Sequence, residues 1–195
     1  AHNNLGVIFE KIGNYDEALQ SFDTAIKNFP KFPEALNNKA LILRRKKHYE
    51  QAVTLFIQAI NLSPEYPEAH NNLAVTLQSL GNYNEALRNF QRALELRPEY
   101  EEVYRNLGVL LQGMVFERPA LGYDQIITKM LDLGVCVRPL DIAPAAISLL
   151  KFDPIIQKLC SSKGEKKWDN PLVDMLNHLS EIPLFLKLLS VTLVT

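Results

Sequence analysis

A fixed period of 34 residues runs through the first half of the chain. The phrase HNNLG at residues 2–6 returns as LNNKA at 36–40, HNNLA at 70–74 and YRNLG at 104–108. The residues that keep the same step are Tyr15, Tyr49 and Tyr83; Ala18, Ala52 and Ala86; Phe22, Phe56 and Phe90; Ala25, Ala59 and Ala93; Pro30, Pro64 and Pro98. So many positions in one register indicate a repeat protein, in which each repeat packs on its neighbours.

Two helical segments make up each repeat. Apolar residues recur at helical spacing from Glu34 to Lys46, and they do so again from Tyr49 to Ile60. The recurring alanines let helices approach closely, and the recurring phenylalanines should fill the space between them. Because a single helix pair cannot bury its apolar face, neighbouring pairs should stack into a solenoid with one concave and one convex side.

The turn between the two helices has its own signals. Gly13 and Gly81 stand where a left-handed residue closes the first helix, and Asn14 and Asn82 follow as predicted N-caps of the second. Lys47 takes the glycine place in the middle repeat, at a cost of about 1 kcal/mol if its φ is positive.

This pattern resembles the tetratricopeptide repeat, whose signature is a Leu-Gly or Leu-Ala pair, an Ala, an aromatic residue, an Ala and a Pro. The resemblance covers residues 1–112 and implies an all-α fold, a right-handed α-solenoid of about three and a half helix-turn-helix repeats. The expected repeats are 1–32, 33–66, 67–100 and a partial one at 101–112, and residues 113–195 are expected to form a separate helical subdomain.

The resemblance also implies that the side of each first helix that is not used for packing lines a binding groove. The predicted groove residues are Asn4, Asn37, Asn38, Leu41, Arg44, Arg45, Asn71, Asn72, Val75, Gln78, Arg105, Asn106 and Val109. Within this set, asparagine keeps one register at Asn4, Asn38, Asn72 and Asn106.

An asparagine row suits a peptide ligand because an amide offers both a donor and an acceptor, matching a peptide backbone. Each hydrogen bond contributes only about 0.5–1.5 kcal/mol net, so apolar residues beside the row must add affinity. The row resembles the asparagine ladder of O-linked N-acetylglucosamine transferases. Two alternatives stay open at this point: the asparagines tie helix to helix, or they are simply solvated.

The carboxylate-binding clamp of chaperone-tail-binding family members is absent. Its lysine places hold Asn3 and Arg105, or the neighbouring Asn37 and Asn71. Arg44 and Arg45 could attract an acidic ligand, but basic residues in a last helical turn are also ordinary partners of the helix dipole.

Composition excludes several function classes. The net charge is -1, which gives no signal for nucleic acid. Cys136 and Cys160 fit neither a disulfide framework nor a zinc site, and no phosphate loop, dinucleotide motif or zinc-protease motif occurs. We therefore expect a soluble, cytoplasmic, non-catalytic protein with no metal or cofactor, which binds a protein or peptide and neither nucleic acid nor membrane.

The second half departs from the repeat. Asp or Asn before Pro, and similar signals, predict helices from Pro119 to about Leu133, Asp141 to Lys151, Pro154 to Cys160 and Pro171 to Leu179, with a last one from Pro183. The stretch 138–160 resembles the helical joint of some bacterial S-adenosylmethionine-dependent methyltransferases, whereas a plain capping subdomain explains it equally well.

Two further expectations follow from the ends of the chain. The apolar C-terminal helix is a candidate for self-association. Ala1 falls inside a repeat and the chain stops after an apolar segment, so we expect an excerpt of a longer protein. The alternative function is accordingly the substrate-recruiting arm of a larger methyltransferase or O-linked glycosyltransferase.

Overall fold

Helices account for all the regular secondary structure in the described part of the chain. The computed structural model describes residues 1–112, 114–117, 122–133, 139–154, 156–157, 182–184 and 187. The helices are α1 (His2–Lys11), α2 (Tyr15–Asn28), α3 (Pro33–Arg45), α4 (Tyr49–Leu62), α5 (Pro67–Ser79), α6 (Tyr83–Leu96), α7 (Glu101–Leu111), α8 (Tyr123–Leu133) and α9 (Pro139–Leu150). The predicted all-α fold is confirmed.

The chain divides into two compact units, Ala1–Val103 and Tyr104–Thr195, and each is described by itself. The boundary falls inside α7, whereas the sequence places the end of the repeats at Gln112. The predicted domain division stays a prediction.

In the first unit, α1 to α6 form three antiparallel pairs, one for each repeat, and neighbouring pairs pack through α2 with α3 and α4 with α5. First helices also contact each other directly, α1 with α3 and α3 with α5. Among these six fully described helices, no contact of comparable extent joins α2 to α4 or α4 to α6. We therefore take the side of the first helices as the inner side of the stack, in line with the solenoid expected from the sequence.

The recurring small and aromatic residues form the core of this unit. Ala18 and Phe22 of α2 pack with Ile42 of α3 in one buried cluster, and all three are 0% exposed. Gly6 of α1 is required for this packing, because a Cβ at that position would lie 2.5 Å from the Phe22 ring. The predicted packing role of these positions is confirmed.

The turns between paired helices use left-handed residues as predicted. The φ angles are 83° at Gly13, 78° at Gly81 and 64° at Lys47, so the lysine adopts the strained conformation that glycine adopts in the other two repeats. Asn14 and Asn82 occupy the N-cap positions of α2 and α6 as predicted, although neither makes a side-chain cap hydrogen bond. Their ψ angles of 73° and 61° are not extended, so the side chain is not directed at the first turn of the following helix.

The second unit includes most of α7, together with α8 and α9. Ser148 of α9 accepts a hydrogen bond from the Phe116 backbone N–H over 2.8 Å and donates to the Ala145 carbonyl over 2.7 Å. The observed helices α8 and α9 confirm two predicted helices with start positions shifted to Tyr123 and Pro139. The predicted helix from Pro171 to Leu179 lies outside the described residues, as does most of the C-terminal helix proposed for self-association.

Candidate functional site

Each first helix presents a polar–apolar–polar stripe on the inner side, built from residues at positions i, i+4 and i+7. Residues at this spacing lie on one face of a helix. The stripes are Asn3, Val7 and Glu10 on α1; Asn37, Leu41 and Arg44 on α3; and Asn71, Val75 and Gln78 on α5. We call this surface of α1, α3 and α5 the inner face. Its apolar members, Val7, Leu41 and Val75, are all half-buried, so part of each side chain is open to a ligand.

Side-chain amides form a continuous hydrogen-bonded chain across the inner face. Asn72 Nδ2 donates to Asn37 Oδ1 over 3.0 Å, Asn37 Nδ2 donates to Asn38 Oδ1 over 3.4 Å, and Asn38 Nδ2 donates to Asn3 Oδ1 over 3.1 Å. The chain thus links α5 to α3 and α3 to α1. The asparagines do tie helix to helix, which was one of the readings that the sequence left open.

The five predicted groove asparagines of the first unit differ in accessibility. Asn71 is 1% exposed, Asn37 is 4% and Asn72 is 9%, whereas Asn38 is half-buried and Asn4 is exposed. Asn71 Nδ2 lies 3.5 Å from Glu102 Oε1. The three buried amides therefore lie beneath the exposed surface of the inner face. Asn38 belongs to the hydrogen-bonded chain and is also accessible to a ligand.

The basic run at the end of α3 is divided by the fold. Arg45 pairs with Glu10 over 3.5 Å, and Lys46 pairs with Asp16 over 2.6 Å, so both bind the preceding repeat. Lys47 forms the left-handed turn. Arg44 is half-buried on the inner face, where burial, and then the neighbouring Arg45, lower the pKa of its guanidinium.

The residues around the N-terminal ends of α3 and α5 are acidic and aromatic. Burial and the Glu68 and Glu34 carboxylates raise the pKa of Tyr66 to about 12. Burial, and then Glu102 and Glu68, also raise the pKa of Tyr100. Arg97 bonds Glu68 over 2.6 Å and lies 4.7 Å from the Tyr100 ring centroid.

These tyrosines were missed by the sequence reasoning. An aromatic residue also recurs in steps of 34 at Phe32, Tyr66 and Tyr100, directly before each following first helix. That recurrence was the signal that could have found them.

The remaining predicted groove residues belong to the second unit. Arg105 is exposed, Asn106 is half-buried and Val109 is 61% exposed. Their role in a groove stays a prediction.

The second unit also contains an open cleft of about 830 Å³. Asp124, Thr128, Asp132 and Leu149 are among its lining residues, and Lys187 bonds Asp132 over 2.6 Å. In the described residues, no group of three or more His, Cys, Asp or Glu is arranged to hold a metal ion. None of the helices in the described part is long and apolar enough to cross a membrane.

Comparison with protein families matches the repeats directly. Two tetratricopeptide repeat family models match, one over residues 1–32 and the other over residues 32–99, so that together they cover the first unit almost to its end. The chain belongs to the tetratricopeptide repeat family. Neither match extends past residue 99, and the likeness of residues 138–160 to a methyltransferase joint stays a prediction. A comparison with curated protein sequences gives no significant match.

Solved structures of other tetratricopeptide repeat proteins resemble this chain. The first such domain of Spaghetti (RPAP3), bound to the HSP90 peptide SRMEEVD, is 26% identical with a TM-score of 0.56, over 57% of this chain and 89% of that one. MamA is 20% identical with a TM-score of 0.54, over 57% of this chain and 66% of that chain.

A mutant of the O-GlcNAc transferase of Thermobaculum terrenum is 22% identical with a TM-score of 0.60. The match covers 68% of this chain but 25% of the transferase chain. At this identity the likeness shows the shared repeat fold alone. Tetratricopeptide repeats are generally non-catalytic interaction modules, and the family together with the peptide-bound relative supports a protein-binding scaffold as the coarse function.

Proposed function

We propose that the inner face of this tetratricopeptide repeat protein binds an extended peptide segment of a partner protein. The observation that carries the proposal is the half-buried apolar row of Val7, Leu41 and Val75 lying beside a hydrogen-bonded row of amides. The apolar row supplies contact area, and the amides match a peptide backbone whatever its side chains are. The peptide-bound relative at 26% identity gives the proposal further support.

The amide row contributes in two ways. An amide has two N–H donors and an oxygen with two lone pairs. Asn38 uses one donor toward Asn3 and accepts one bond from Asn37, which leaves one donor and one lone pair for a ligand. Because its neighbours already fix its orientation, little side-chain entropy is lost on binding. In the proposed asparagine ladder, Asn38 is the central contact and Asn4 is its exposed neighbour along the first unit, whereas Asn37, Asn71 and Asn72 are buried supports.

The proposal is tested with the full 195-residue chain and a library of displayed random decapeptides. We expect selected peptides to bind and to lose affinity several-fold when Leu41 is changed to Ala, since part of the contact area is removed. The matched control is Leu62→Ala on α4, because Leu62 is 40% exposed and lies on a second helix. A library that yields no binder, or equal losses in the two variants, would contradict the proposal.

A further inference from the structure

Arg44 differs from the two basic residues that follow it, Arg45 and Lys46. It is half-buried, and among the described residues no carboxylate lies within the 4.0 Å distance of an ion pair. Arg45 and Lys46 both have such partners, although Arg45 is the more exposed of the two arginines. The fold therefore pairs Arg45 and Lys46 with carboxylates and leaves the half-buried Arg44 without a bonded counterion.

The chemical surroundings of Arg44 make it the cationic point of the inner face. The residues in the same register on the neighbouring helices are Glu10 of α1 and Gln78 of α5. Glu10 forms an ion pair with Arg45 over 3.5 Å, and Gln78 carries no charge. Glu102 attracts Arg44 electrostatically without forming an ion pair with it.

A cation that is partly removed from water without a bonded counterion costs folding free energy. A ligand that brings a carboxylate to the guanidinium restores the missing interaction, and the planar guanidinium favours two parallel hydrogen bonds with a carboxylate. Arginines in such positions are frequent among the residues that dominate binding energy at interfaces.

We propose that Arg44 is the anchor for a carboxylate of the bound peptide, an inference that rests on the proposed function of the inner face. The ligand carries the carboxylate at one place only, because Glu34 makes the start of α3 acidic. Glu34 lies at the start of the same helix, about 15 Å from Arg44 at 1.5 Å per residue. A peptide that is acidic throughout would meet repulsion there.

The carboxylate has two possible sources, an Asp or Glu side chain and the C-terminus of the peptide. The random decapeptide library is therefore prepared in two forms, with a free C-terminus and with a C-terminal amide. We expect binders to the wild-type chain to share one acidic position, or to require the free C-terminus. Replacing that carboxylate by the corresponding amide should weaken binding by about tenfold or more.

The deciding measurement compares the affinities of the acid and amide peptides for variants of the chain. With Arg44→Gln the acid and amide peptides should bind with equal affinity, because glutamine carries no charge. Glutamine is also the residue in the same register on α5, at Gln78. With Arg44→Lys part of the difference should return. The matched control Arg45→Gln should keep the full difference in affinity between the acid and amide peptides, because Arg45 is paired with Glu10.

Thermal unfolding of the Arg44→Gln chain gives a second readout. The midpoint should stay unchanged or rise, because a half-buried charge is removed; a fall of several degrees would show a structural role and overturn the proposal. Binders without an acidic preference, or an acid–amide difference that survives in Arg44→Gln, would also overturn it while leaving peptide binding intact. A library without any binder would overturn the proposed function as well.

Discussion

Asn38 Nδ2 donates a hydrogen bond to Asn3 Oδ1 over 3.1 Å, and this bond joins the first helices of two successive repeats. The same relationship recurs one repeat later, where Asn72 donates to Asn37. The asparagine row, which the sequence predicts to bind a ligand, therefore also links neighbouring repeats within the stack. Its substitution should therefore affect stability as well as binding.

The asparagine row separates into positions that carry stability and positions that do not. Asn72→Ala removes the donor to the buried Asn37 oxygen, so we expect a loss of about 1–3 kcal/mol in the free energy of unfolding. Asn4→Ala, in the same register but exposed, should change it by less than about 0.5 kcal/mol. Urea unfolding of both variants checks this, and equal losses would contradict the role assigned to the amide chain.

Two isoleucines at equivalent repeat positions should respond very differently to truncation. Ile42 is 0% exposed and packs on Ala18 and Phe22 of the preceding repeat, whereas Ile8 is 56% exposed on α1. Ile42→Ala should cost about 2–5 kcal/mol, because it opens a cavity in the core. Ile8→Ala should cost less than about 0.5 kcal/mol. Denaturant unfolding monitored by circular dichroism provides the comparison, and a large loss for Ile8→Ala would refute the described burial.

The left-handed turn at Lys47 is a site where glycine should stabilise the protein. A φ of 64° costs a non-glycine residue about 1–2 kcal/mol. Glycine relieves this cost, although it adds about 0.4–1 kcal/mol of chain entropy in the unfolded state. We expect Lys47→Gly to raise the unfolding free energy by about 0.5–1 kcal/mol.

The reverse change is available as a control at Gly81, whose φ is 78° and whose added Cβ would meet no atom within 4 Å. Gly81→Ala should therefore destabilise through the backbone alone, by about 1 kcal/mol. If thermal melts show both variants shifting in the same direction, the strain at Lys47 is not what sets stability at this turn.

Tyr66 should ionise late, and its ionisation should destabilise the fold. Its pKa is raised to about 12 from the usual 10.0, mainly by burial and then by Glu68 and Glu34. The folded chain therefore holds the phenolic proton more tightly than the unfolded chain does. The stability contributed by the neutral phenol is present below pH 10 and is lost as the pH rises toward 12.

Ultraviolet titration of the phenolate band in wild type and in Tyr66→Phe measures this ionisation. The difference between the two curves should show a midpoint near 12, and the variant should lose less stability in the same pH range. A midpoint near 10 would show that the phenol is not shielded from water.

The fold could be predicted from the sequence because its determinants repeat. Ala18, Phe22 and their counterparts return at one spacing, and that spacing alone locates both helices of each repeat. Residue type places Asn14 and Asn82 correctly at the N-cap positions, but the ψ angles of 73° and 61° there leave both side chains without a cap hydrogen bond. Residue type carries no information on that angle.

The candidate site was predictable only in outline. Helical spacing places Asn37, Asn38 and Arg44 on the inner side of α3, but it does not tell which amide donates to which. The partners are in other repeats, about 35 residues away for Asn38 and Asn3. The division of the basic run between Arg44 and Arg45 likewise depends on Glu10 of another helix. These hydrogen bonds and ion pairs form between repeats, so a sequence pattern within one repeat does not predict them.

The amide chain has a sense of direction. Both bonds that join neighbouring repeats, from Asn72 to Asn37 and from Asn38 to Asn3, donate toward the N-terminal end of the stack, and the bond from Asn37 to Asn38 connects them within α3. Hydrogen bonds that are connected in a chain polarise one another, and the two bonds between repeats share one sense. A peptide backbone is itself oriented, and its two possible directions along the row are therefore not equivalent. For the peptide binding proposed here, we therefore expect the surface to favour one direction of the bound backbone, independently of the side chains of the peptide.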